Sequence, residues 1–423
     1  MTHLTTLDGG LRVVTAEMPD RESVAVGVWL RCGSRDEPAR LNGISHLIEH
    51  YVFKGTRRRT GEQLTREIEG AGGSLDASTG EESTFYYAQV LPEHVGCAVD
   101  TLMDMVVAPT FQADQLDVQK DIVLEEIRMV EDRPASLVED LFSEALWGTH
   151  PLGRRVLGTE RSIAGITRAD LVGYHKRMYA RAAGVVALAG NVRHDEAVRL
   201  VERASGRMAW SRPPRFRSVV ERQRRPVVEV RTRETEEGHI VLGFRTFPRQ
   251  HPARFALRII STILGENMSS RLFENVREKR GLAYSIYSGI DRYIDTGCFY
   301  VGGGLDTARL TVGLRAVVRE CERLRVHGVR RAELDRAKQY AVGQLSMGLE
   351  KSMSRMIWMG EELLLSGRVP DATETIRRLR VVTADDVQRV ACMVFRPSRM
   401  GLAYIGPPQD EARLRRSIEL EVS

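Results

Sequence analysis

Two stretches of this 423-residue chain read as copies of one unit. ITRADLVGYHKRMYARAAGVVALAGNV runs from Ile166 to Val192, and VTADDVQRVACMVFRPSRMGLAYIGPP runs from Val382 to Pro408. Each opens on a threonine placed to cap a helix, followed closely by an acid. Each continues as an amphipathic helix, breaks, and closes in an apolar strand ending in glycine. Thr167 and Gly190 stand 23 positions apart, and so do Thr383 and Gly406. Equal spacing with matched ends is the mark of duplication, and a chain this long exceeds one ordinary core. Between the copies, SGRMAWSRPPRFRSVVERQRRPVVEV (Ser205 to Val230) is rich in proline and arginine and reads as a linker. The expected division is residues 1–212, a linker at 213–228, and residues 229–423.

Local patterns mix strands with helices. SVAVGVWLRCGS is valine-rich, and STFYYAQVL is aromatic and β-branched, so both read as strands. EHVGCAVDTLMDMVV repeats apolar residues every three and four positions and reads as a helix. DQLDVQKDIVLEEIRMVEDRP is a long charged helix stopped before Pro134. The expectation is an α+β chain of two similar domains, each a sheet covered by helices. Strand order does not follow from the pattern.

Composition removes several function classes. Hydrophobic content of 42% with 28% charged residues describes a globular chain rather than a disordered one. No apolar run is long enough for a membrane span. MTHLTTLDGGLRVVTAEMPD carries neither a secretory h-region nor an Arg-rich transit pattern, so a cytoplasmic location is expected. Five scattered cysteines form no C-x-x-C pair and suggest neither a disulfide framework nor a thiolate metal site. The 62 basic and 57 acidic residues are interspersed, which argues against a nucleic-acid partner.

One stretch carries chemistry. GISHLIEHYVFKGT places His46, Glu49 and His50 within five residues of an apolar helical run, with Asn42 as expected N-cap and Gly55 as expected C-cap. Residues four apart on a helix point the same way, so the two imidazoles can grip one Zn²⁺. Glu49 lies beside them, placed to take a proton from water activated there. H-x-x-E-H is the reverse of the H-E-x-x-H zincin motif. A catalytic zinc needs a third protein ligand, and the charged helix offers Glu125 and Glu126. Helical phase puts Glu126 with Gln119, Ile122, Val123 and Val130, whereas Glu125 falls with Asp121, Arg128 and Asp132 on a solvated face. Glu126 is therefore the better candidate.

HLIEHYVFKGT followed by VLEEI resembles the pitrilysin-type (inverzincin) zinc peptidases, closest to the processing-peptidase branch with the mitochondrial β subunit and its bacterial relatives. SLDASTGEESTFYYAQVL, SRLFENVREKRGLAYSIYS and ELDRAKQYAVGQLSMGLEKSMSRM extend the resemblance over nearly the whole chain. It implies two homologous domains with mostly antiparallel sheets, together forming half of a metallopeptidase clamshell. It implies one Zn²⁺ per chain held by His46, His50 and Glu126, with Glu49 as catalytic base in the N-terminal domain. Arg277 and Tyr284 in the C-terminal domain match a pair that binds substrate and stabilises the tetrahedral intermediate. Asp76, Ala77, Ser78 and Thr79 match an edge strand onto which peptides add.

The implied activity is endopeptidase cleavage of oligopeptides or unfolded segments inside a dimeric chamber. A homodimer would suffice, because both motif sets occur in one chain. The rival is a non-catalytic or heterodimeric partner subunit. Three positions depart from the family pattern: Gln119 replaces a usual glutamate near the metal, Asp76 a usual asparagine, and Tyr51 a usual aliphatic or methionine.

Overall fold

The structure, a computed structural model, describes residues 2–179, 183–206, 210 and 216–420. The chain forms two units, described in turn.

The first unit is Met1–Arg128, Arg154–Arg217 and Met347–Asp371. Its sheet comprises β1 (Thr2–Thr6), β2 (Arg12–Glu17), β3 (Val24–Leu30), β4 (Ser74–Thr79), β5 (Thr84–Val90) and β6 (Gly184–Gly190), in the order β1-β2-β6-β3-β5-β4. Only β2 and β6 pair parallel; the other neighbours are antiparallel. Central β3 and β6 read as unbroken apolar runs because both faces are covered. β4 is an outer strand, and its residues alternate between exposed and half-buried.

One face of the sheet packs on helices Ile44–Val52, Gly61–Glu69 and Val95–Val107. The other is covered by helix Ser352–Ser366, whose Met356, Met359, Leu363 and Leu364 meet Val14, Ala25, Trp29, Val185 and Ala187.

The second unit is Met129–Gly153, Ser218–Ser346 and Ala372–Ser423. Its sheet comprises β7 (Val227–Thr232), β8 (Glu237–Arg245), β9 (Ala283–Arg292), β10 (Gly297–Asp306) and β11 (Met400–Gly406), in the order β7-β11-β8-β10-β9. Again a single pair, β7 with β11, is parallel. Strand for strand this repeats the β2-β6-β3-β5-β4 order of the first unit. Thr167 and Thr383 each cap their helix in a reciprocal capping box, with Asp170 and Asp386 respectively. The strands that follow, β6 and β11, hold equivalent places. Helix Pro134–Trp147 covers the second sheet through Leu137, Leu141, Phe142 and Leu146.

The units are thus not continuous halves of the chain. The linker-based division puts residues 129–153 and 347–371 in the opposite half from the sheet each helix covers. An amphipathic helix is satisfied by any apolar face of suitable shape, so sequence position alone does not say which. Residues 213–215, where the linker was expected to begin, lie outside the described residues. Among the described residues no helix is long and apolar enough to cross a membrane.

Candidate metal centre

The histidine helix spans Ile44–Val52. Ile44, Leu47, Ile48, Tyr51 and Val52 anchor it in the core, which leaves His46, Glu49 and His50 on its less buried side. Its ends differ from expectation. The N-cap is Gly43 in the left-handed region (φ 91°) and the C-cap is Phe53, not Asn42 and Gly55. The Asn42 side chain instead donates to buried Glu37, whose carboxylate also accepts from the Gly43 and Ser45 backbone N–H groups at 2.7 and 2.8 Å. A carboxylate here satisfies free N–H groups and faces the positive end of the helix. Burial nevertheless pushes the Glu37 carboxyl up to about 7 against these three donors.

Glu126 comes from the helix Leu116–Glu131. Its Oε2 lies 3.6 Å from His46 Nε2 and 3.5 Å from His50 Nε2. The three ligand atoms fall within 4.8 Å of one another, the only such group of potential metal ligands among the described residues. Glu125 instead turns to Arg128 and is 67% exposed. Glu126 thus faces the histidine pair and Glu125 the surface, although Ile122, expected inward beside Glu126, is exposed. The inward face is Gln119, Val123 and Ile127.

Burial, and next the charge of His50, push the His46 imidazole down to about 4. It is accordingly neutral at physiological pH, the form in which an imidazole nitrogen can bind a metal. Glu126 is held below its ordinary range, first by hydrogen bonding with His50. Two imidazole nitrogens and one carboxylate form a donor set that suits zinc with a fourth position open. Buried His46 Nδ1 has no hydrogen-bond partner among the described residues, and neither has Gln119 Oε1. Gln119 is 1% exposed. Its neutral amide is thus buried about two helical turns before Glu126, at the position where the family resemblance led us to expect a carboxylate.

Glu49 is half-buried, and burial raises its carboxyl above the ordinary value. The Thr79 hydroxyl, at the end of β4, donates a hydrogen bond to Glu49 Oε2. Sequence reasoning had read Thr79 only as part of an edge. It also gave no sign of Glu37, an acid in an irregular loop. A cavity of 1160 Å³ opens over His46, Glu49, His50 and Glu126, and Asp76 of β4 also lines it. Asp76 accepts from the Tyr87 hydroxyl at 3.0 Å and from the Ala77 backbone N–H. On its inner side β4 pairs Ala77, Ser78 and Thr79 with Tyr86, Phe85 and Thr84. Tyr51 is buried and donates to the Gln112 carbonyl at 3.3 Å, a bond that an aliphatic residue would lack.

Arg277 and Tyr284 belong to the second unit. Arg277, in the helical turn Phe273–Glu278, stacks its guanidinium 4.8 Å from the Phe273 ring centroid. Tyr284 stands on outer strand β9, 64% exposed. The helix between β8 and β9, Arg254–Gly265, takes the place that the histidine helix holds between β3 and β4. It buries Ala256, Ile259 and Ile260 and carries neither a histidine nor a carboxylate.

Residues 12–160 match the family model described as Insulinase (Peptidase family M16), and residues 165–340 match Peptidase M16 inactive domain. The chain belongs to peptidase family M16. Among the described residues, the one cluster of potential metal ligands lies within the 12–160 match, and none lies in the stretch that matches the inactive domain. A protein of Mycobacterium tuberculosis named an uncharacterized zinc protease is 40% identical over 95% of this chain and 92% of its own length. A Bacillus subtilis protein of the same description is 36% identical over 95% and 97%. The crystal structure of a protease from Helicobacter pylori has the same fold, with a TM-score of 0.89 at 21% identity, covering 96% of this chain and 99% of that one.

Proposed function

We propose that this protein is a zinc-dependent endopeptidase that hydrolyses oligopeptides or unfolded segments. The reading is carried by the convergence of His46, His50 and Glu126, with Glu49 beside them in one cavity. The zinc-protease names of its relatives support it. His46, His50 and Glu126 would hold one zinc per chain. When bound, zinc supplies a Lewis acid that polarises the scissile carbonyl and brings the pKa of water to roughly 7.

The chain's own groups do the rest. Glu49 takes a proton from the attacking water and returns it to the leaving nitrogen. The open edge of β4 at Asp76, Ala77, Ser78 and Thr79 pairs with an extended substrate through main-chain hydrogen bonds. Arg277 and Tyr284 donate to the substrate and its developing oxyanion. In a homodimer these two residues serve the zinc site of the partner protomer.

Zinc content and cleavage of a quenched fluorescent peptide, measured on wild type and Glu49→Gln, test this. About one zinc per chain, with cleavage lost in the variant while zinc stays, is expected. Absence of zinc overturns the mechanism. Zinc without cleavage in wild type favours a non-catalytic partner subunit, the reading to which the neutral, buried Gln119 lends support.

A further inference from the structure

Resting on the peptidase reading of the same cavity, we propose that Thr79 is a positioning residue. It holds the Glu49 carboxylate in the orientation that accepts a proton from water, and so ties the base to the edge strand that receives substrate.

Thr79 is the one hydrogen-bond donor to Glu49 among the described residues. It occupies Oε2 and leaves Oε1 for the water. No other contact of this kind fixes the rotation of the carboxylate, and Glu49 has three side-chain torsions to restrain. The residue type at this position fits that task better than packing. Leu75 and Ala77, the alternate residues of β4 on the same side as Thr79, are apolar and pack on the core. A valine would continue that face. The hydroxyl breaks it where Glu49 comes within reach.

The backbone around Thr79 is held to the same loop that sets the histidine helix. Thr79 is the last residue of β4, and the turn after it closes with the Gly80 N–H donating to the Ser83 carbonyl at 2.8 Å. That turn is clamped to residues 33–35. The Ser34 N–H donates to the Gly80 carbonyl at 3.1 Å and the Arg35 N–H to the Glu81 carbonyl at 2.9 Å. A Cβ on Gly33 would fall 2.3 Å from the Gly80 oxygen, so only glycine allows this approach. The buried Arg35–Glu82 ion pair, 2.5 Å, closes the clamp.

Glu37, two residues beyond Arg35, caps the helix that carries Glu49. Donor and acceptor of the Thr79–Glu49 bond are therefore both referenced to the segment Gly33–Glu37, and the bond completes a closed mechanical loop. Pairing of a peptide with the free edge of β4 loads the strand whose end steers the base.

Thr79→Val removes the hydroxyl at nearly constant shape, and Thr79→Ser keeps it. The expected result is a fall in kcat of about 10–100-fold in Thr79→Val, the size typical of groups that orient active residues. KM, zinc content and thermal midpoint are expected to stay near wild type, with Thr79→Ser recovering most of kcat. An unchanged kcat in Thr79→Val, or an equal loss in Thr79→Ser, overturns the proposal while leaving the peptidase reading intact. Wild type that binds zinc but cleaves nothing overturns the peptidase reading instead. Crystal structures then decide the positioning role alone: a Glu49 carboxylate displaced in Thr79→Val supports it, and one unmoved overturns it.

Discussion

Trp29 and Gly360 touch so closely that a Cβ on the glycine would lie 2.6 Å from the indole. The two residues are distant in sequence, one on β3 and the other on helix Ser352–Ser366. Gly27 repeats the relationship from the strand side, with Met356 Sδ 2.8 Å from the position of its absent Cβ. The helix seats at this distance because each surface sets a glycine against a bulky side chain of the other, Gly360 against Trp29 and Gly27 against Met356. Gly360→Val must displace a fully buried ring, and overpacking of this kind costs about 1–3 kcal/mol. A thermal midpoint several degrees below wild type is expected, and one equal to wild type would show that the helix can back away freely.

The same packing bears on the independence of the halves. A fragment ending at Arg217 lacks helix Ser352–Ser366 and uncovers Val14, Ala25, Trp29, Val185 and Ala187 at once. An apolar patch of that extent drives association. The fragment is expected to aggregate or bind a hydrophobic dye when expressed alone, and to become soluble when co-expressed with residues 218–423. A monomeric, cooperatively melting fragment would refute this.

Adjacent glutamates allow a sharp test of the metal site. Glu126→Gln removes a carboxylate that sits 3.5 Å from His50 Nε2 and that we propose as the third ligand. Glu125→Gln alters a carboxylate that faces Arg128 at the surface. Zinc affinity by chelator competition is expected to fall more than about 100-fold in the first, beyond what outer groups typically contribute. It is expected to stay within about threefold in the second. Equal losses would mean that the ligand has been misassigned.

Glu37 predicts a pH dependence. Its carboxyl sits at about 7 in the folded chain against an ordinary value of 4.5. A folded value raised this way means that the native state favours the protonated acid. That contribution is complete below about 4.5 and is lost as pH rises through about 7, worth up to about 3 kcal/mol. The zinc-free wild type is therefore expected to lose thermal midpoint relative to Glu37→Gln between pH 5 and pH 8. The trend with pH is the readout, because the amide also alters the capping hydrogen bonds at every pH. A flat difference would place the Glu37 titration outside this window.

Chamber assembly is tested by mixing inactive chains. Glu49→Gln lacks the base and Tyr284→Phe lacks the phenol donor, so a dimer containing one of each retains one complete site if the donor acts across the interface. Activity in the mixture above that of either variant is expected. Activity no higher than the single variants would sink the in-trans arrangement.

The sequence by itself determined whatever depends on local periodicity. The i, i+4 spacing of His46 and His50 needs only a helix, and helical phase was enough to prefer Glu126 to Glu125. The matched 23-position spacings of Thr167–Gly190 and Thr383–Gly406 declared two related units, and their strands do occupy equivalent places. Tertiary structure decided what depends on contacts between distant segments. Ile122 carries the periodicity of an inward residue yet is exposed, because burial depends on where neighbouring elements stop. Helix Ser352–Ser366 covers the first sheet because its glycine faces Trp29, a fit of shapes that apolar pattern does not encode. Glu37 and Thr79 reach the histidine helix from a loop and a strand end, through hydrogen bonds that exist only once the sheet order is set. Backbone geometry repeats every few residues and can be read along the chain, whereas side-chain partnership across it is settled by packing.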